Sequence, residues 1–172
     1  MTIERQILFE NDLVSAPFAE VFAYWLRRRG SAIAPTLAQF KLHELPADIL
    51  PWSIIADVGP AGRDFKYRFW GTERVYLIDA EMTGKWVSEI ENAHMREANL
   101  NEYKEALAIR KPILCNTPVV TGSGREAVFQ SLRMPLSDDG KTVSHIYSAM
   151  NYTQMSATHY EFYGTDPRRT GC

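Results

Sequence analysis

The sequence predicts an α+β domain, a five-stranded antiparallel sheet with helices on one face and a helical extension at the N-terminus. Three observations lead there. Apolar residues recur at helical spacing near Phe18–Leu26 and again in Ala93–Ile109. Other stretches alternate in the period of strands, such as "FKYRFW" and "EAVFQSLRMPL". Strand neighbours are joined by short turns rich in Gly or Asp, except across a helical middle, so they pair as hairpins.

In chain order, Phe18, Val21, Phe22, Trp25 and Leu26 form an amphipathic stripe, with Ser15 as N-cap, Pro17 in the first turn and Gly30 as the stop. "LPADILP" (45–51) reads as a short helical turn between prolines. "WSIIADV" (52–58) is a strand, "GPAGRD" a hairpin turn, and "FKYRFW" (65–70) the returning strand. Its Phe65, Tyr67 and Phe69 are expected on one face. Short helical turns fit 72–86. A longer helix is predicted from Ala93 to Ile109, buried through Met95, Leu100, Tyr103 and Leu107 and stopped by Pro112. "PILCNTPVVT", "EAVFQSLRMPL" and "KTVSHIYSAMNY" then form three strands, joined by "GSGR" and "SDDG". Residues 1–30 are thus an N-terminal helical extension, 31–152 the domain, and 153–172 a C-terminal tail expected to fray.

Over 172 residues, 45% hydrophobic and 23% charged residues describe a globular chain with a real core. A net charge of -2 without a basic stripe argues against a nucleic-acid partner. The basic run Arg27–Arg29 reads as a helix C-terminus complementing the dipole. The N-terminus shows no apolar leader, and the longest uncharged run, 142–160, is too polar to span a membrane. A cytoplasmic protein is expected. Cys115 and Cys172 lack CxxC spacing, so a disulfide framework is not expected.

Candidate chemistry is sparse. The Gly71-Thr72 break lacks the lysine and spacing of a phosphate loop, so Gly71 is read as a strand exit and Thr72 as a cap. "GSGREA" matches a dinucleotide fingerprint, but a strand follows it where a helix is needed. His43, His94, His145 and His159 have no metal-ligand spacing, and no metal site is assigned. His94 is read as a polar helix-entry residue, with haem ligation as the alternative. His145 is read as a satisfied sheet histidine. Cys115 is expected to be a buried, inert thiol. Arg68 and Arg133 lie within apolar strands, where a guanidinium fork binds an anion, pairs with an acid such as Asp57 or Glu126 on a neighbouring strand, or lies on the solvated face. Both final strands carry apolar groups on each face. Both sheet faces are therefore covered, one by helices and the other by the N-terminal helix or a second subunit.

"YWLRRRG", "LPADILPWSIIADV", "FKYRFWGTERV" with "MTGKW", and "EAVFQSLRMPLSDDGK" resemble a PAS domain, specifically a bacterial family of single-domain PAS proteins. Tyr67, Arg68, Phe69, Gly71, Thr72, Thr83, Gly84, Met134, Pro135 and Leu136 stand at the positions of that pattern, which runs from about Phe18 to Tyr152. Arg68, Gly71, Thr72, Gly84 and Pro135 would be its structural residues. Where the family often carries leucines, Phe129, Gln130, Ser131 and Arg133 interrupt, which implies a different or more polar ligand.

The resemblance implies a sensory or signalling module with no effector domain of its own, a pocket between sheet and helical segment, a homodimer, and a signalling protein partner. Tyr67, Phe69, Tyr103, Phe129 and Tyr147 would bury a small-molecule ligand, and His94, Ser131, Arg133 and His145 would orient it. No haem or flavin is supported by the residues, and the cofactor stays unassigned. Two alternatives stand beside this reading. One is an interaction module whose interior is filled by its own side chains. The other is an enzyme on a cone-shaped curved-sheet fold, which needs a His and a carboxylate, Asp57 or Glu126, converging in the cavity.

Overall fold

The computed structural model describes residues 4–120 and 124–154. Its strands are β1 (Glu4–Ile7), β2 (Ser53–Val58), β3 (Phe65–Trp70), β4 (Ile113–Val120), β5 (Glu126–Ser137) and β6 (Val143–Met150), and its helices are α1 (Ala19–Arg29), α2 (Thr72–Ile78) and α3 (Ala93–Ile109). The strands form one antiparallel sheet of order β1-β4-β5-β6-β2-β3. The fold is therefore α+β and PAS-like, with the β2–β3 hairpin followed by a helical middle and a three-strand meander that returns beside β2.

The sixth strand is a departure from the expected five. β1 pairs with β4 from Glu4↔Asn116 to Ile7↔Ile113. All its residues are exposed, so no alternation marks it in the sequence; its pairing satisfies an edge of β4 that would otherwise be open. At the other side, β3 is covered by the Thr-Gly segment: Tyr67 donates its N–H to Lys85 at 2.9 Å, and Gly84 donates to Tyr67 at 2.7 Å. Gly84 takes φ +83°, a left-handed angle that glycine adopts at little cost.

Each sheet face has its own core. On one face α1 and the 31–52 connector bury Phe22, Trp25, Phe40 and Ile49 against Ile55, Leu132, Met134 and Tyr147. The other face carries α2, α3 and the 79–90 segment, with Met95, Tyr103 and Ala106 on Ile54, Phe65, Tyr67, Ile113 and Ile146. Cover on both faces explains why β5 and β6 are buried almost continuously from Ser131 to Ser137 and from His145 to Met150, with apolar groups on each face. The N-terminal helix supplies the second cover within one chain. Trp25 ties it down by donating its indole N–H to the Pro135 carbonyl at 2.7 Å.

A bulge resolves the facing of β3. Ile55 pairs with Phe69 and Ala56 with Tyr67, so Arg68 is the extra residue. Phe65 and Tyr67 face α3, whereas Phe69 packs on the α1 side, against the alternation expected for it. Gly71 also differs from expectation. Its φ of −63° is ordinary, and the side chain is excluded because a Cβ would lie 2.1 Å from the Pro51 carbonyl oxygen. Gly71, not Thr72, is the N-cap of α2, and no side chain caps that helix. Likewise α1 begins after Phe18 rather than at a Ser15 cap.

α3 has the predicted bounds, with Asn92 as N-cap accepting the Met95 N–H at 3.0 Å. Its buried face includes the expected Met95 and Tyr103 but is rotated from the expected stripe. Asn99 and Glu102 are buried beside Met95, Tyr103 and Ala106, while Leu100 and Leu107 are only partly covered. The turn residues Gly122 and Ser123, and His159 and Cys172 in the tail, lie outside the described residues.

Candidate functional site

Between α3 and the sheet, the interior is built around polar groups. Glu102 and Arg133, at 4% and 5% side-chain exposure, form an ion pair. Arg133 donates from Nε at 3.0 Å and from Nη2 at 2.8 Å to Glu102 Oε2, and Nη2 also reaches Asn99 Oδ1 at 2.7 Å. Ser131 Oγ donates to the same Glu102 oxygen at 3.0 Å, and Thr117 Oγ1 donates to Oε1 at 2.6 Å. The guanidinium lies 4.4 Å from the centre of the Tyr103 ring, whose face adds a cation–π attraction of about 2 kcal/mol in dry surroundings. Burial pulls the Arg133 pKa down, but Tyr103 and Glu102 more than offset it, and the group stands above the ordinary arginine value.

The partner of Arg133 is thus on the helix, not Asp57 or Glu126 on a neighbouring strand. Strand parity sends Ser131 and Arg133 toward α3 while Leu132 and Met134 face α1. Asn99 and Glu102, one helical turn apart, were missed as site residues. The signal was available: both fall on the stripe that Met95, Tyr103 and Ala106 define, where a polar residue is expected to meet a buried partner.

Toward α2 lies a second group. Tyr67 and Trp70 stack edge to face at 4.6 Å, and the Arg74 guanidinium sits 5.2 Å from the Trp70 ring centre. Burial drives the Tyr67 hydroxyl pKa well above its ordinary value. Neither Trp70 nor Arg74 was singled out from the sequence, because both look like ordinary residues of a strand end and a short helix.

The remaining predicted site residues do not join these groups. Tyr147 faces α1 and hydrogen-bonds Ser53 Oγ at 2.7 Å. Phe69 also lies on that side, so the sheet separates both from Tyr67 and Tyr103. Phe129 packs with Trp52, Leu77 and Met150 at the far end of α2. His94 is exposed at the start of α3. His145 is held between Asp57 at 2.6 Å and Asp138 at 2.8 Å, and Arg68 donates to the same Asp57 oxygen at 2.7 Å. The hydrogen bond with His145 holds the Asp138 carboxyl below the usual carboxylate range. This is a His with carboxylates, and His145 is buried, but its acids stand at the surface, Asp138 at 67% and Asp57 at 30% side-chain exposure. Glu126, the other acid named for catalysis, is exposed. Cys115 is buried, and desolvation pushes its thiol up to about 12.

No family model matches the chain. No curated protein matches it either. Among solved structures, one described as "Structure of an RNA-binding Light-Oxygen-Voltage Receptor" is similar at 11% identity and a TM-score of 0.45, covering 95% of this chain and 41% of that one. The chain therefore spans less than half the length of that protein. Among the described residues, no helix is long and apolar enough to cross a membrane.

Proposed function

We propose that the chain is a sensory or signalling module that binds a small molecule between the sheet and the α2–α3 layer. The observation that carries this is the composition of that interior. Glu102, Arg133, Asn99, Ser131 and Thr117 are all buried there, on the inner surfaces of α3, β4 and β5. A core needed only for stability would be better served by apolar residues of the same volume, since a buried ion pair seldom repays its desolvation. A convergent polar set inside an apolar layer is the usual make-up of a small-molecule site.

Of the residues expected to contact a ligand, Tyr67, Tyr103, Ser131 and Arg133 share this interior and form the proposed site, to which we add Asn99 and Glu102. Ligand binding would act by population shift, favouring one position of α3 against the sheet. The similarity to bacterial single-domain PAS proteins, the homodimer and a signalling partner belong to the same proposal. Exposed Phe9 and Leu13, next to α1, support a contact surface there.

Native mass spectrometry and an absorbance spectrum of freshly purified protein test the reading. A stoichiometric extra mass, or a rise in melting temperature with members of a metabolite library, is the expected result. One observation favours the interaction-module alternative: Glu102 and Arg133 already satisfy one another. A bare mass with unchanged melting across the library would decide for that alternative.

A further inference from the structure

Arg74 is a buried cation with no anion beside it among the described residues. It is 3% exposed, and no carboxylate pairs with it among the described residues. Its Nη1 donates to the thioether of Met150 at 3.2 Å, a weak acceptor, and its Nε has no hydrogen-bond partner among the same residues. Two neighbours repeat the pattern. The Trp70 indole N–H and the Tyr67 hydroxyl are also buried without a partner among the described residues, at 4% and 1% exposure. The three side chains touch around the Trp70 ring. Buried donors are nearly always paired, and a buried charge more strictly still, so three orphans in one cluster need a common explanation.

Resting on the ligand-binding reading above, we infer that Arg74, Trp70 and Tyr67 form the anion-holding end of the site, and that its ligand is a monocarboxylate with an apolar body. The charge argument selects one negative charge. Arg133 is neutralised by Glu102, which leaves the single charge of Arg74 to be met. A phosphate monoester, near −2, would bring a second unpaired charge into the same dry layer. The guanidinium fork fits a planar carboxylate in two parallel hydrogen bonds, and the indole and phenol are neutral donors beside it. Leu77, Phe129 and Met150 on one side and Met82 on the other are apolar, and would cover a hydrocarbon or aromatic body.

The test uses the full chain, with phenylacetate as probe and phenylacetamide as its neutral counterpart, in titration calorimetry and thermal melting. Phenylacetate is expected to bind and raise the melting temperature, and the amide to bind at least tenfold more weakly. Arg74→Met should lose phenylacetate binding at least tenfold while melting no lower than the parent without probe, because an unpaired buried cation has been removed. Equal binding of acid and amide overturns the inference and leaves the ligand reading intact, and so does full acid affinity in Arg74→Met. The comparison on the parent protein needs no variant to fold. If neither probe binds, the compound carried through purification decides. An acid upholds the inference, a neutral compound overturns it alone, and a bare protein mass overturns both readings.

Discussion

At Glu102 both carboxylate oxygens are occupied by buried donors. Thr117 holds one, and Ser131 and Arg133 the other. Substituting Glu102→Gln keeps the volume but strands the Arg133 charge. Breaking a buried pair in this way costs about 3–5 kcal/mol, to be read from urea unfolding. The double change Glu102→Met with Arg133→Met is expected to cost much less, since no charge is left unpaired. Cys115 illustrates the opposite case of an inert group. With its thiol pushed up to about 12, almost no thiolate forms at pH 8. In a Cys172→Ser background, Ellman's reagent should label the protein only after denaturation. Labelling of the native protein on mixing would contradict the burial. Asp138 supplies a pH dependence. Its folded pKa is depressed by His145, so its stabilisation is present above the unfolded value of about 3.9 and is lost as pH falls through the lower folded one. The parent should therefore lose more stability than Asp138→Asn between about pH 5 and pH 2, and parallel curves would show that the hydrogen bond contributes nothing.

α1 is an element whose place is set by one side chain more than by its own propensity. Trp25 is buried, donates to the Pro135 carbonyl, and carries the Arg29 guanidinium 5.5 Å over its ring. Trp25→Ala is expected to cost about 3–5 kcal/mol, the range for truncating a large buried aromatic. It should also raise binding of a hydrophobic dye, because the Leu132–Met134–Tyr147 face loses its cover. A loss under about 1 kcal/mol would mean that α1 lies only loosely on the sheet. In α2 the decisive residue is Gly71. Any Cβ there meets the Pro51 carbonyl, so even alanine must push the 50–53 turn away from the β3 exit.

For the whole molecule, the sheet is the shared wall between two cores, so the N-terminal segment and the rest are expected to unfold together. Helix content and tryptophan emission should follow one urea transition, since Trp25 lies in α1 and Trp70 in the α3-side core. A separate early transition reported by helix content would make residues 1–30 an independent extension. The same wall explains why a dimer is not needed to cover the sheet: α1 and the 31–52 connector already do so within one chain.

Local chemistry determined a good part of this protein from the sequence alone. Period and punctuation sufficed for the bounds of α3, for the β2–β3 hairpin and for the final meander, because each is decided by residues near one another in the chain. They sufficed too for Ser131 and Arg133 as unusual polar residues in an apolar strand. Only the tertiary structure decided what those residues meet. Arg133 and Glu102 are 31 positions apart, and no spacing rule links a strand to the helix that crosses it. The facing of Phe69 turned on a bulge at Arg68, which is a property of the pairing between two strands rather than of either one. β1 forms because β4 offers an open edge, not because Glu4–Ile7 has a strand pattern. Arg74 became notable only through its surroundings, since burial without an anion is a relation among side chains that a linear sequence does not display.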